Sequence, residues 1–144
     1  MVTIMTYTVH LISLKCLISQ EFEGDEVYIT LDGQRVWSVQ GDYKMHQTPS
    51  EVHHINEVDF VEGRLLLRDG WQPMPGFEPM DFIFTGLSGH RQFEVWDEDN
   101  FSSDDYFGKL PFSESEAGRG NITGVAARDG AKYVLTYRVE MDAT

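Results

Sequence analysis

An acidic stretch, residues 95–109, contains side chains whose types and spacing suggest chemistry. It begins with the alternation of a half-buried strand and then becomes acidic. Two serines in its middle would turn the chain back, so that carboxylates on either side of them come close together. Five carboxylates are involved: Asp97, Glu98, Asp99, Asp104 and Asp105. Because like charges repel and oxygen ligands suit hard cations, the stretch indicates either a calcium site, favoured over magnesium on a flexible loop, or a solvated acidic surface.

The spacing of these carboxylates does not fit an EF-hand loop. Counted from Asp97, the third ligand position holds Phe101 and the closing glutamate position holds Gly108. A strand rather than a helix also leads into the stretch. A helix–loop–helix calcium site is therefore not expected.

The stretch resembles the third calcium-binding loop of C2 domains, a family of calcium-dependent membrane-targeting β-sandwiches. The shared pattern is an apolar residue, two aspartates at alternate positions, an apolar tip, a serine, and an aspartate followed by two apolar residues and a glycine. The matching residues here are Asp97, Asp99, Phe101, Ser102, Asp105, Tyr106, Phe107 and Gly108. The resemblance implies that Asp97, Asp99 and Asp105 bind calcium. It also implies secondary ligands at the Glu98 carbonyl and at Ser102, and a membrane-facing tip at Phe101.

A second acidic loop, residues 19–26, precedes an evident strand at residues 27–31. Asp25 resembles the aspartate that ends the first calcium-binding loop of C2 domains, which implies a further calcium ligand. The earlier aspartate of that loop is missing, and Glu21 or Glu23 could take its place. Phe22 either forms a second membrane-facing tip or packs beneath the loop, and the sequence leaves both open.

The charge balance restricts the partners of the protein. Its 144 residues, expected to form a single domain over residues 1–144, include 24 acidic and 11 basic residues, for a formal net charge of −13. Nucleic acid is disfavoured as a partner, since a basic surface supplies most of the affinity for it, and so is unaided binding to anionic lipid. No secretory leader or membrane-spanning stretch is evident. We expect a cytoplasmic protein that becomes peripheral to a membrane when calcium is bound.

Strand signals recur along the chain. Alternating apolar and polar residues predict strands that include residues 6–18, 27–31, 93–96 and 131–140, while Asp-Gly pairs at residues 32–33, 69–70 and 129–130 favour turns. Residues 71–80 and 113–124 are expected to be loops, because the first are rich in proline and the second in glycine and polar residues. We therefore predict an all-β fold, an antiparallel eight-stranded β-sandwich. The resemblance implies the Greek-key connectivity of C2 domains, in the circularly permuted order called type II.

Two other chemistries are less well supported. His46, His53 and His54 invite zinc binding, but adjacent histidines on a strand point to opposite faces and no cysteine is nearby. Ser88 does not lie in a nucleophile elbow, because His90 occupies the second glycine position. We expect the protein not to be an enzyme.

The sequence thus predicts a calcium-binding C2-like module that binds phospholipid headgroups at a membrane surface through its two acidic loops. The alternative is a protein-interaction β-sandwich, with a structural calcium or none, whose protein partner would contact residues 71–80 or a sheet edge. Substitution of Phe101 separates the two hypotheses, since lipid binding depends on an inserted apolar tip only in the first.

Overall fold

A computed structural model describes residues 5–78, 82–100 and 102–143. These residues form thirteen β-strands and one turn of 3-10 helix, Glu114–Glu116, and they contain no α-helix. The strands are β1 (Tyr7–Ile18), β2 (Val27–Leu31), β3 (Gln34–Ser38), β4 (Lys44–Met45), β5 (His54–Ile55), β6 (Glu57–Asp59), β7 (Arg64–Leu67), β8 (Gly70–Pro73), β9 (Phe82–Leu87), β10 (Arg91–Asp97), β11 (Asp105–Phe112), β12 (Asn121–Ala126) and β13 (Lys132–Met141).

Two antiparallel sheets contain most of the strands. The larger follows the order β12-β13-β1-β6-β7-β8, and β9 also pairs with β1. The smaller follows the order β11-β10-β2-β3, and β4 and β5 form a short parallel pair. The predicted all-β antiparallel sandwich is therefore confirmed, with short strands in addition to the eight expected. The Greek-key connectivity and the type II order remain predictions.

Two strands form where the sequence suggested loops. β8 includes Trp71 and Pro73, and β12 begins at Asn121 within the glycine-rich stretch. Both lie at an outer edge of the larger sheet, where a strand needs a partner on one side only. Pairing of that kind tolerates proline and weak alternation, and this explains why the loop predictions were wrong at these residues.

The core lies between the two sheets. The inward faces of the central strands are buried, as the alternation predicted: Tyr7 and Val9 of β1 and Phe93 and Val95 of β10 are all fully buried. In β1 the opposite face is buried as well at Thr8 and His10. The ring of Phe93 in the smaller sheet contacts that of Tyr137 in the larger, with centroids 6.1 Å apart. The two sheets thus hold each other through interleaved aromatic side chains.

Sheet register brings the two acidic loops to the same place. The loop of residues 19–26 enters β2, and the loop of residues 98–104 leaves β10. β2 begins where β10 ends, because Val27 pairs with Asp97. The two loops are therefore neighbours, although more than 70 residues of chain separate Asp25 from Asp97. Among the described residues, no helix is long and apolar enough to cross a membrane.

Candidate metal site

Three carboxylates form the one cluster of metal-binding type in the described part of the chain. Glu21 comes from the 19–26 loop, Asp97 is the last residue of β10, and Asp99 lies in the 98–104 loop. One oxygen from each lies within 4.8 Å of the others. Glu21 is exposed, Asp99 is half-buried and Asp97 is buried, so the cluster is closed to solvent at Asp97 and open to solvent at Glu21. This arrangement can accept a cation from solvent.

Asp97 lies at the closed end of the cluster, with only 1% of its surface exposed. Its Oδ1 accepts a hydrogen bond from the backbone N–H of Glu26 at 2.9 Å, whereas its buried Oδ2 has no partner among the described residues. An unpartnered anionic oxygen is costly to bury. Burial, and then the charge of Asp25, raises the pKa of Asp97 to about 7. A proton and a metal cation would therefore compete for this carboxyl group near neutral pH.

Asp99 has a second close carboxyl beside it. Asp105 opens β11 and pairs across the strands with Asp97. Desolvation, and then hydrogen bonding to and repulsion from Asp105, raises the pKa of Asp99. Like charges this close favour protonation of one of them or a shared cation.

Glu21 shows the same tendency. Desolvation, and then the charges of Asp25 and Asp99, raises the pKa of its carboxyl, with Lys44 opposing them. The sequence offered Glu21 as a substitute for a missing aspartate but did not place it among the expected ligands. The pKa of each of the three carboxyl groups in the cluster is thus raised.

Asp25 is fully buried and differs from the cluster in having many donors. Its Oδ2 accepts the backbone N–H of Gln20 at 2.9 Å and the hydroxyl of Tyr133 at 2.6 Å, and its Oδ1 accepts the backbone N–H of Glu21 at 3.0 Å. Burial raises its pKa, and these hydrogen bonds act in the opposite direction. Asp25 therefore has three donors before any ion arrives.

The other residues expected at the site lie around its rim. The Glu98 carboxylate faces Arg35, with guanidinium nitrogens 3.3 Å from its Oε1, so the predicted contribution of Glu98 to calcium would come from its carbonyl. Ser102 is exposed. Asp104, which was not assigned as a ligand, accepts the hydroxyl of Tyr28 and the backbone N–H of Asp99. The hydroxyl and then the N–H lower its pKa.

Phe22 stands out from the protein, with 95% of its surface exposed. The ring therefore does not pack beneath the loop, and its role as a membrane-facing tip remains a prediction. Its carbonyl lies 3.1 Å from Nε2 of His46, whose Nδ1 accepts the backbone N–H of Thr48, so that Nε2 carries the proton and donates. Phe101, the other predicted tip, lies outside the described residues.

The histidines belong to no metal cluster in the described ranges. His46 and His54 stack with ring centroids 4.9 Å apart. Both nitrogens of His46 already have backbone partners, which leaves no lone pair for zinc.

No protein-family model and no curated protein matches the chain. Among solved structures, one described as a C2 domain has a TM-score of 0.47 and 12% identity and covers 94% of this chain and 98% of its own. A C2 domain of plant extended synaptotagmin 1 has a TM-score of 0.46 and 10% identity, with 100% of both chains covered. Human GIVD cytosolic phospholipase A2, in complex with methyl gamma-linolenyl fluorophosphonate, has a TM-score of 0.47 and 15% identity over 99% of this chain. This chain spans only 18% of that enzyme.

Structural matches to C2 domains thus cover nearly the whole chain, and none of them assigns a metal ligand.

Proposed function

We propose that the protein is a calcium-binding C2-like module that binds phospholipid headgroups when calcium is bound. The observation that carries the proposal is the buried Oδ2 of Asp97, which has no hydrogen-bond partner among the described residues and lies beside two further carboxylates. Glu21, Asp97 and Asp99 would hold the ion. Calcium takes about six to eight oxygens, so Asp105, Ser102 and the Glu98 carbonyl would supply others, and open positions would remain.

Membrane attachment would follow from neutralisation of this cluster. A bound Ca²⁺ removes the local repulsion of phosphate, and a lipid phosphate oxygen can fill an open coordination position. The exposed ring of Phe22 would then enter the headgroup layer, where burial of its apolar surface is favourable. The protein would act in the cytoplasm and become peripheral to a membrane on calcium binding, as a binding module and not as an enzyme.

Calorimetric titration of chelator-treated protein tests the calcium step. We expect saturable binding of calcium in the micromolar to millimolar range, much weaker binding of magnesium, and loss of calcium binding in the Asp97→Asn/Asp99→Asn double variant. If neither heat nor a rise in melting temperature accompanies calcium, with phospholipid vesicles absent or present, the proposal is wrong.

Vesicle sedimentation tests the lipid step separately. Phe22→Ser should lower calcium-dependent binding to phospholipid vesicles while it leaves calcium affinity in solution unchanged. Met5→Ser is the matched control, because Met5 is also exposed but precedes β1, whereas the 19–26 loop follows the other end of that strand.

A protein-interaction sandwich remains the second candidate, and Trp71 favours it. This side chain is 38% exposed at the edge of the larger sheet, with the Arg64 guanidinium over its ring at 4.4 Å. However, much of the apolar surface expected at residues 71–80 is not available to a partner, because Met74 is buried and Phe77 packs against the core. Calcium-dependent vesicle binding that survives Trp71→Ser and fails in Phe22→Ser would favour the lipid-binding module.

A further inference from the structure

Two carboxylates link the loops of the candidate site to buried tyrosines, and we call each such link a brace. The first brace is Asp25. This carboxylate binds the backbone N–H groups of Gln20 and Glu21 at 2.9 and 3.0 Å, and its own position is fixed by the Tyr133 hydroxyl at 2.6 Å. Tyr133 is fully buried in β13 and stacks on Phe107, with centroids 5.4 Å apart. The backbone of a cluster residue, Glu21, is thereby tied to the core of the sandwich.

The second brace repeats this arrangement on the other loop. Asp104 accepts the backbone N–H of Asp99 at 3.0 Å on Oδ1 and the hydroxyl of Tyr28 on Oδ2. Tyr28 is buried in β2 and stacks on Trp96, with centroids 6.2 Å apart and planes 4° from parallel. Again a carboxylate joins a tyrosine of the sheet to the backbone of a residue in the cluster.

We propose that Asp25 and Asp104 are positioning residues that hold the Glu21 and Asp99 ligands in place, so that a single calcium ion is seated on Glu21, Asp97 and Asp99. The inference rests on the calcium-binding function proposed above and replaces the expected role of Asp25 as a ligand. It also assigns to Tyr133 and Tyr28 an indirect part in ion affinity.

The contrast between Asp25 and Asp97 is the reason for this division. Asp97 has a buried oxygen with no partner among the described residues, whereas both oxygens of Asp25 have donors. Tyr133 is buried in the core and its hydroxyl donates to Oδ2 of Asp25 at 2.6 Å, so an ion at this oxygen would have to displace or share a short hydrogen bond. Carboxylates that orient ligands from behind typically change affinity without touching the metal.

Tyr133→Phe distinguishes the two roles of Asp25 by the sign of its effect. If Asp25 is a brace, loss of the hydroxyl loosens the backbone at Glu21, and calcium affinity should fall by about 10- to 100-fold. If Asp25 is a ligand, the hydroxyl competes with the ion, and its removal should leave affinity unchanged or higher. Tyr137→Phe is the control, because Tyr137 is also a buried tyrosine of β13 and donates instead to Pro111 and Glu116.

The number of water molecules bound to the ion distinguishes a ligand from a positioning residue, because a loss of protein stability alone would not change it. Terbium can replace calcium, and its luminescence lifetimes in H₂O and D₂O report the number of bound waters. At saturation, Glu21→Gln should gain water because a ligand is weakened, whereas Asp25→Asn and Tyr133→Phe should keep the wild-type number. A gain of water in Asp25→Asn would show that Asp25 is a ligand and would overturn the inference.

The outcomes separate this inference from the proposed function. If the wild-type protein binds neither calcium nor terbium, the proposed function fails. If it binds and Tyr133→Phe binds equally well or more tightly, calcium binding stands and the brace is wrong. Should Tyr133→Phe not fold, Asp25→Asn and Tyr28→Phe decide: weaker terbium binding with an unchanged water count supports both braces, and unchanged affinity in both variants overturns them.

Discussion

At the scale of single residues, Asp97 is the carboxylate of the candidate site whose negative charge is most unfavourably placed. Its carboxylate is held among other carboxylates, and one oxygen has no partner among the described residues. Asp97→Asn should therefore raise the free energy of unfolding of the calcium-free protein at pH 7.5, by about 1–3 kcal/mol, because it removes a buried charge. The same change should abolish the rise in melting temperature on addition of calcium.

Scanning calorimetry with chelator or calcium measures both effects of Asp97→Asn. Asp69→Asn is a suitable control, because it removes one negative charge from an exposed turn. A calcium-free Asp97→Asn protein less stable than wild type at pH 7.5 would contradict an unsatisfied charge at this position.

The raised pKa of Asp97, about 7 against an ordinary 3.8, gives a pH dependence of definite sign. The folded state holds this proton more tightly than the unfolded state does, so the contribution of Asp97 to stability is fully present below pH 4 and is lost as pH rises towards 7. We expect the free energy of unfolding of the calcium-free protein to fall between pH 5 and 7.5, and calcium affinity to rise over the same interval as the proton leaves.

Urea unfolding at a series of pH values tests this dependence, with Asp97→Asn as the reference. The slope should be shallower in the variant because its side chain does not titrate. An equal slope in both proteins would assign the pH dependence to other carboxyls.

At the scale of elements, the central strands and tight turns could be predicted from the sequence. Period-two alternation identified β1, β10 and β13, and Asp32-Gly33 makes the expected turn, with φ angles of 50° and 85°. Edge strands β8 and β12 were missed, since pairing on one side alone leaves a weak pattern. Local periodicity thus identifies the central strands, whose inward face is buried, and it does not identify edge strands that pair with a single neighbour.

Gly24 is an element-scale test, because it shapes the loop that presents Glu21. Its φ is +102°, and an added Cβ would lie 2.9 Å from Lys44 Cβ and 3.0 Å from the Met45 carbonyl oxygen. Gly24→Ala should therefore be destabilised by roughly 1–2 kcal/mol through its backbone conformation and by about 1–3 kcal/mol more through crowding. Its calcium affinity should also fall, because the adjacent Asp25 is displaced.

Gly70 provides a matched control for this variant. It has the same φ of +102° and nothing within 4 Å of an added Cβ. Gly70→Ala should show only the backbone part of the loss in urea unfolding and unchanged calcium binding. Equal losses in the two variants would mean that Met45 and Lys44 move aside without difficulty.

At the scale of the whole molecule, the candidate site depends on contacts that no local pattern contains. Asp97 and Asp99 could be found because they stand in one short acidic stretch. The brace from Tyr133 to Asp25 joins residues 108 positions apart, and it exists only because β13 pairs with β1, from which the 19–26 loop continues. Tyrosines that alternate along a strand look like core residues in the sequence, and only the packed sandwich shows which hydroxyl reaches a carboxylate.

The net charge of −13 leads to a prediction about which lipids the protein binds. One bound Ca²⁺ offsets only two of these negative charges, so the molecule as a whole still repels an anionic surface. Attachment would then depend on insertion of Phe22 into the lipid layer and on coordination of calcium by phosphate, and zwitterionic lipids allow both.

With calcium present, vesicles of phosphatidylcholine should bind at least as well as vesicles that also contain phosphatidylserine. Added salt should strengthen binding to the second kind, since screening weakens the repulsion. Sedimentation at two ionic strengths measures this, and a strong preference for phosphatidylserine that salt abolishes would instead require a local cationic surface that outweighs the net charge.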